Sequence, residues 1–234
     1  MECPVRAEVA TYPKQDNSVA LLRDTKVFVA DAGSTDSTAA IAELCAARLG
    51  LRLEVIPGGL PATGRNAGAR RATTPYVLFL DADVELAEST LLRRAVEALQ
   101  QRELHCLTTD IACTHGHWPD RLLFRLNNSV QRASRLVSPF ATGMFMLFDK
   151  REFDRLGGFD ERALYAEDYL LSKQVEKSRF AVIPGGVLTS NRRFQKMGHA
   201  SIAWMFIKTA LHSCNPDYFL RDHGYWEESV KTGA

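Results

Sequence analysis

Two carboxylates one residue apart, Asp81 and Asp83, close the apolar run "PYVLFLDADV". Carboxylates this close repel unless a cation or hydrogen-bond donors stabilise them. Mg²⁺ or Mn²⁺, with their preference for hard oxygen ligands, meet that need and keep positions open for phosphate oxygens. Another acid, Asp31, ends the run in "VFVADAGSTDST", where Gly33 turns the chain and Ser34, Thr35 and Asp36 suit a helix cap. The cap explains those residues by itself; the chemical alternative is that Asp31 faces a base or ribose. In "GGLPATGRNAGARRA" the glycines let backbone approach a ligand, and Arg65 and Asn66 stand at a helix start, where a guanidinium beside free N–H groups suits a diphosphate. Arg65, Arg70 and Arg71 fit a solvated basic helix face equally well. Finally, "GGFDERALYAEDYLL" places Glu167 and Asp168 where an apolar-periodic helix begins. Acids there favour the helix dipole, and Asp168 could also serve as a general base.

Acids presented in this way need strands that end where a ligand sits. Runs rich in Val, Ile and Phe alternate with helical patterns, the mark of βαβ units. Strands are expected over 5–11, 26–30, 52–56, 76–80, 105–109, 144–148 and 180–183, and helices over 36–48, 88–101, 119–136 and 200–211. Ile41, Leu44 and Cys45 share one face of the first helix, and Leu91, Leu92, Val96 and Leu99 one face of the second. The fold class is α/β: a Rossmann-type domain with a mostly parallel mixed central sheet flanked by helices, binding ligands at the carboxyl ends of its strands. Residues 1–198 are expected to form this domain, in halves 1–110 and 111–198, with a helical extension over 199–234.

Composition narrows the partners. The chain has 234 residues, and its 29 Lys and Arg nearly cancel its 28 Asp and Glu, so no net field points to nucleic acid. Five scattered cysteines without a Cys-x-x-Cys pair fit a reducing cytoplasm, and no basic region followed by an apolar block marks a signal peptide at the N-terminus. The longest apolar run, 202–207, falls far short of the roughly 18 residues of a membrane span. The helix "PDRLLFRLNNSVQRASRLV" mixes Leu122, Leu123, Leu126, Val130 and Val137 with Arg121, Arg125, Arg132 and Arg135, and "IAWMFIKTAL" is apolar nearly all round. Either these helices pack into their own domain, or they rest on an anionic membrane with Trp204 and Phe206 in the interface, leaving the protein peripheral at the inner face.

Taken in order, "DAGSTDST", "GRNAG", "DAD" and "GGFDE…AEDYLL" resemble the motifs of the family 2 glycosyltransferases, which have the GT-A fold of the nucleotide-diphosphosugar transferase superfamily. The resemblance runs from about residue 9 to 198, with "VATYPKQD" a loose match to the family's opening Pro-x-Tyr-Asn-Glu. It implies that the half 1–110 binds a nucleotide-diphosphate sugar and that the half 111–198 meets an acceptor, whether a glycan, a lipid-linked molecule or a small molecule. By the same resemblance Thr11, Tyr12 and Asp31 contact base and ribose, Arg65 holds the nucleotide, and Asp81 touches ribose or metal. Asp83 ligates Mn²⁺ or Mg²⁺, with His199 a second candidate ligand, and Arg192 and Arg193 close over the diphosphate. Asp168 deprotonates the acceptor hydroxyl in a direct displacement with inversion. Lys14 stands where the family usually has an acid or amide, and Ala32 replaces an Asp found in many members. Two other functions share some of these features. A degenerate GT-A domain binds nucleotide or a partner without turnover, and haloacid dehalogenase-type phosphatases also carry Asp-x-Asp after an apolar strand, although on their first strand.

Overall fold

The computed structural model describes residues 25–213 and 215–221, so Thr11, Tyr12, Lys14 and the strand expected over 5–11 lie outside the described residues. The first unit is β1 (Lys26–Asp31), α1 (Thr38–Leu49) and β2 (Arg52–Pro57). Its strands pair in parallel from Lys26 opposite Arg52 to Asp31 opposite Pro57. The crossover helix α1 stops at Gly50, whose φ of 66° lets its N–H reach back to the carbonyls of Ala46 and Ala47. Ala46 is the buried residue of α1, whereas Leu44, expected on the packed face, is half exposed.

There follow α2 (Pro61–Arg71), β3 (Tyr76–Leu80), β4 (Val84–Leu86), α3 (Leu91–Gln101), β5 (Cys106–Cys113), α4 (Trp118–Val137), β6 (Phe145–Asp149) and α5 (Lys150–Arg155). The chain continues through α6 (Glu167–Ser172), β7 (Phe180–Thr189), α7 (Arg192–Met197), α8 (His199–Leu211) and a 3₁₀ turn (Pro216–Leu220). Five strands make one sheet in the order β3-β6-β5-β7-β4.

The α/β class, the flanking helices and the mixed sheet are as expected. In the five-stranded sheet β3, β5 and β7 point one way and β6 and the short β4 run against them, so that β5–β7 is the parallel pairing and β3–β6, β5–β6 and β4–β7 are antiparallel. The physical reason lies in β6, "FMLFD", whose alternate residues are buried on opposite faces of the sheet. Phe145 and Leu147 pack with Leu91, Leu99 and Leu107 against α3, while Met146 and Phe148 pack with Phe79, Phe153 and Phe159. Such a run reads the same in either direction, so only the connections decide which way it is threaded. The Phe79, Phe148, Phe153 and Phe159 rings meet edge-on or tilted at 4.9–6.3 Å, a rigid base directly behind the end of β3.

Candidate active site

β1 delivers Asp31 into a turn that uses its carboxylate at once. One oxygen accepts the Ser34 hydroxyl at 2.5 Å, the other the Ser34 N–H at 3.1 Å, and these bonds, the hydroxyl first, hold Asp31 below the usual carboxylate range. Asp36, one residue before the N-cap Ser37, accepts the Thr38 N–H at 2.9 Å where α1 starts. Where β2 leaves the pair, the Gly58 N–H donates to the Asp31 carbonyl at 2.7 Å. A β-carbon on Gly58 would lie 2.9 Å from the Asp31 carbonyl carbon and oxygen, so this close crossing needs a glycine.

The next layer is a fork centred on α2. Arg65 donates through Nη2 to Asp81 at the end of β3 (2.6 Å) and through Nη1 to Glu167 at the start of α6 (2.5 Å). Burial works against its charge, but Asp81, Glu167 and Asp168 overcome that and raise its pKa above the ordinary arginine value. Its guanidinium lies over the Phe159 ring at 5.4 Å and fills the space where a β-carbon of residue 143 would stand, which is why Gly143 is there. The neighbouring Asn66 is buried and used fully. It donates to the Phe159 carbonyl (2.8 Å) and to Glu161 (3.0 Å), and accepts the Phe159 N–H (3.0 Å), fastening the "GGFDE" loop to α2.

Asp168 sits behind this fork. Its two oxygens accept the N–H groups of Gly143 (2.6 Å) and Tyr169 (2.7 Å). Burial first, and then the charge of Glu167, push its pKa up to about 7, against the pull of Arg65 and the two N–H groups. The segment that supplies Gly143 is itself strapped down. Successive N–H groups of Phe140, Ala141 and Thr142 donate to Ser134 Oγ, Ser172 Oγ and Gln131 Oε1, alternating between α4 and α6. Immediately before Glu167, Ala166 adopts a φ of 56°, in the left-handed region that an alanine rarely enters, and so sets the angle at which α6 starts.

The structure therefore brings together Arg65, Asp81 and Asp168, and adds Glu167 as the fork's second anchor. Asp83 stands apart, its side chain 55% exposed, with Arg192 of α7 at 3.8 Å. His199 is engaged elsewhere: its Nε2 lies 2.6 Å from Asp120, a buried carboxylate that also accepts the Asn191 amide (3.1 Å) and the His117 N–H (2.8 Å). Burial raises the Asp120 pKa, but these partners outweigh it and hold it below its usual value. No contact brings His199 to Asp83, and among the described residues no group of three or more His, Cys, Asp or Glu could hold a metal ion. Asp83 still fits a divalent cation as one exposed hard-oxygen ligand, with most of the coordination left to substrate phosphates.

Sequence reasoning had no signal for Gly143 or Gln131, since neither lies in a motif. Glu167 was in view beside Asp168, but its ion pair with Arg65 spans 102 positions of chain.

A parallel β1–β2 unit, a strand-end Asp-x-Asp and a helix start carrying a carboxylate behind it fit the GT-A fold that the sequence motifs resemble. Residues 17–157 match the family described as Glycosyl transferase family 2. The chain belongs to that family, which sets the phosphatase reading aside. The matched span takes in Asp31, Arg65, Asp81 and Asp83 and stops before Asp168, Arg192, Arg193 and His199; it also begins after "VATYPKQD".

Solved structures show the same fold. A mannosyltransferase from Pyrobaculum calidifontis, in complex with GDP-Man and Mn²⁺, superposes with a TM-score of 0.56 at 21% identity over 79% of this chain and 55% of its own. TarS of S. aureus gives 0.52 at 21% identity over 70% of this chain and 31% of its own. Glucosyl-3-phosphoglycerate synthase from Mycobacterium tuberculosis, with Mn²⁺, UDP-glucose and phosphoglyceric acid, gives 0.52 at 17% identity over 78% of this chain and 68% of its own. This chain thus spans from a third to two thirds of the length of these proteins. No curated protein matches its sequence significantly.

Proposed function

We propose that the chain transfers a sugar from a nucleoside diphosphate sugar to an acceptor hydroxyl, by direct displacement with inversion and with Asp168 as the general base. The observation that carries this reading is the Asp168 carboxyl, with a pKa of about 7, fixed by two backbone N–H groups one guanidinium away from the strand-end acid Asp81. A base works best when its pKa lies near the working pH, because it is then both available and strong enough to take a proton. Arg65 orients Asp81 toward the donor side and Glu167 toward the base side, holding the two halves of the site at fixed separation. In this reading Asp31 and Asp81, at the ends of β1 and β3, meet base and ribose, and Arg192 and Arg193 meet the diphosphate.

Mn²⁺ or Mg²⁺ held by Asp83 would neutralise charge growing on the departing diphosphate. The solved relatives that contain GDP-Man or UDP-glucose together with Mn²⁺ support a nucleotide-sugar donor and a divalent ion. His199 belongs to the Asp120 cluster, so Asp83 is the one protein ligand this reading retains. The acceptor hydroxyl gives its proton to Asp168 as its oxygen attacks the anomeric carbon, and the nucleoside diphosphate leaves from the opposite face.

Calorimetric titration with UDP and GDP, with and without Mn²⁺, tests the donor half. We expect the metal to tighten binding by about tenfold or more, the scale of one well-placed ionic contact, and Asp83→Ala to abolish that gain. An Asp83→Ala protein that keeps the whole metal effect would remove the cation from the reading. Asp168→Asn should bind the same nucleotide normally and lose transfer, as expected of a group that acts on the acceptor alone.

A further inference from the structure

Helix α4 is folded the wrong way out for water. Its inward face carries amides and hydroxyls: Asn127 and Gln131 are buried, Asn128 exchanges two hydrogen bonds with the Ile111 backbone, and Ser134 holds the strap at Phe140. Its outward face carries Trp118, Leu122, Leu126, Val130, Leu136 and Val137, each 49–75% exposed. At about 100° per residue these six fall within about one third of the helix circumference. Arg121, Arg125 and Arg132 lie along one border of that sector, with Arg132 paired to Asp110.

Helix α8 packs against α4 and repeats the pattern. Only Ile202 is buried, while Trp204, Phe206, Ile207 and Leu211 are 41–71% exposed, and Lys208 stands 5.8 Å over the Trp204 ring. The first turns of the two helices are joined by the His199–Asp120 contact.

Charge is divided as unevenly as hydrophobicity. Helices α4 and α8 hold five of the chain's 29 Lys and Arg (Arg121, Arg125, Arg132, Arg135 and Lys208) but just one of its 28 Asp and Glu. That one acid, Asp120, is buried and already occupied by His199 and Asn191. In a chain that is almost neutral overall, the two helices that present apolar side chains to solvent thus carry a net positive charge. No helix among the described residues is long and apolar enough to cross a membrane.

We propose that α4 and α8 form a docking face for an anionic lipid surface. The leucines, valines and the Trp118 and Trp204 rings enter the headgroup boundary, and the bordering arginines and Lys208 pair with lipid phosphates and carboxylates. Indole rings favour that boundary because one edge is apolar and the N–H needs a polar partner. Apolar insertion and attraction to anionic lipid act together in such faces, and neither alone holds a protein firmly. The proposal stands independently of sugar transfer, since none of these side chains belongs to the Arg65–Asp168 site.

The test is co-sedimentation of the full chain with phosphatidylcholine vesicles, with and without phosphatidylserine. We expect pelleting with the mixed vesicles, none with phosphatidylcholine alone, and a blue shift of tryptophan emission that Trp118→Phe together with Trp204→Phe removes. Leu126→Glu, at an exposed position that leaves folding intact, should weaken binding by about tenfold, because it withdraws an inserted side chain and adds a carboxylate beside anionic lipid. Arg125→Ala should weaken it by about fivefold. Three results overturn the proposal. One is protein that stays in the supernatant with mixed vesicles at low salt. Another is pelleting that Leu126→Glu leaves unchanged, which reduces the face to unspecific charge attraction. The third is a dimer in gel filtration that Leu126→Glu splits without any vesicle binding, which assigns the face to a second copy of the chain.

Discussion

Replacing Asp168 by Asn should change the stability of the protein in a way that depends on pH, with a sign that follows from the raised pKa. Below about pH 3 the Asp168 carboxyl is essentially neutral both folded and unfolded and contributes nothing. Between 3.8, its ordinary value, and about 7, the folded chain keeps a proton that the unfolded chain has lost, so stability falls as pH rises through this window. Above about 7 the loss is complete. At about 1.4 kcal/mol for each pH unit its ceiling is about 4 kcal/mol, of which roughly 3 kcal/mol falls between about pH 5 and pH 8. Asparagine has no such proton to lose, but only one of its two terminal atoms accepts. The N–H of Gly143 or of Tyr169 therefore loses its partner, at a cost of about 1–3 kcal/mol that does not vary with pH. The variant should thus gain on the parent by roughly 3 kcal/mol between about pH 5 and pH 8, and should equal or exceed it in stability at about pH 8. Urea unfolding of both proteins at the two pH values, followed by far-ultraviolet circular dichroism, measures the difference. A stability difference that stays constant within about 0.5 kcal/mol, or that moves toward the parent as pH rises, means that Asp168 titrates in the ordinary carboxylate range, and the case for it as a base at neutral pH is lost.

Three other substitutions probe the parts that hold the site. Arg65→Met should cost about 3 kcal/mol in urea unfolding, because it strands Glu167 at 10% exposure while Asp81, at 35%, can turn to water; Arg65→Lys should recover less than half of that, as an ammonium cannot fork to two carboxylates. A loss below about 1 kcal/mol for Arg65→Met would show the fork to be no stronger than a surface ion pair. Asn66→Ala leaves the Phe159 N–H and carbonyl without partners and should destabilise by about 3 kcal/mol, with faster hydrogen exchange at the Phe159 amide; unchanged protection there contradicts the idea that Asn66 fastens the loop. Gly143→Ala drives a methyl group into the Arg65 guanidinium and should cost about 1–3 kcal/mol as well as transfer activity, so a variant as stable and active as the parent would mean that Arg65 has room to move.

What the sequence determined by itself is local in origin. The runs before Asp31 and Asp81 are strands, the "GRNAG" segment lies on a helix, and the long pattern after residue 118 is the helix α4, because strand and helix periods are written in adjacent residues. The family, too, was legible from the order of short motifs. Tertiary structure decided everything that depends on residues distant in the chain. Strand direction in the five-stranded sheet was hidden, since β6 is apolar on both faces and an apolar run has no polarity of its own. The fork from Arg65 to Asp81 and Glu167, the strap from Gln131 and Ser172 under Gly143, and the capture of His199 by Asp120 all join residues separated by 11 to 102 positions. Composition can name those side chains, but only packing selects their partners. The outward leucines of α4 show the same limit from the other side: a helical period says that one face differs from the other, and the neighbours in space determine which face is buried.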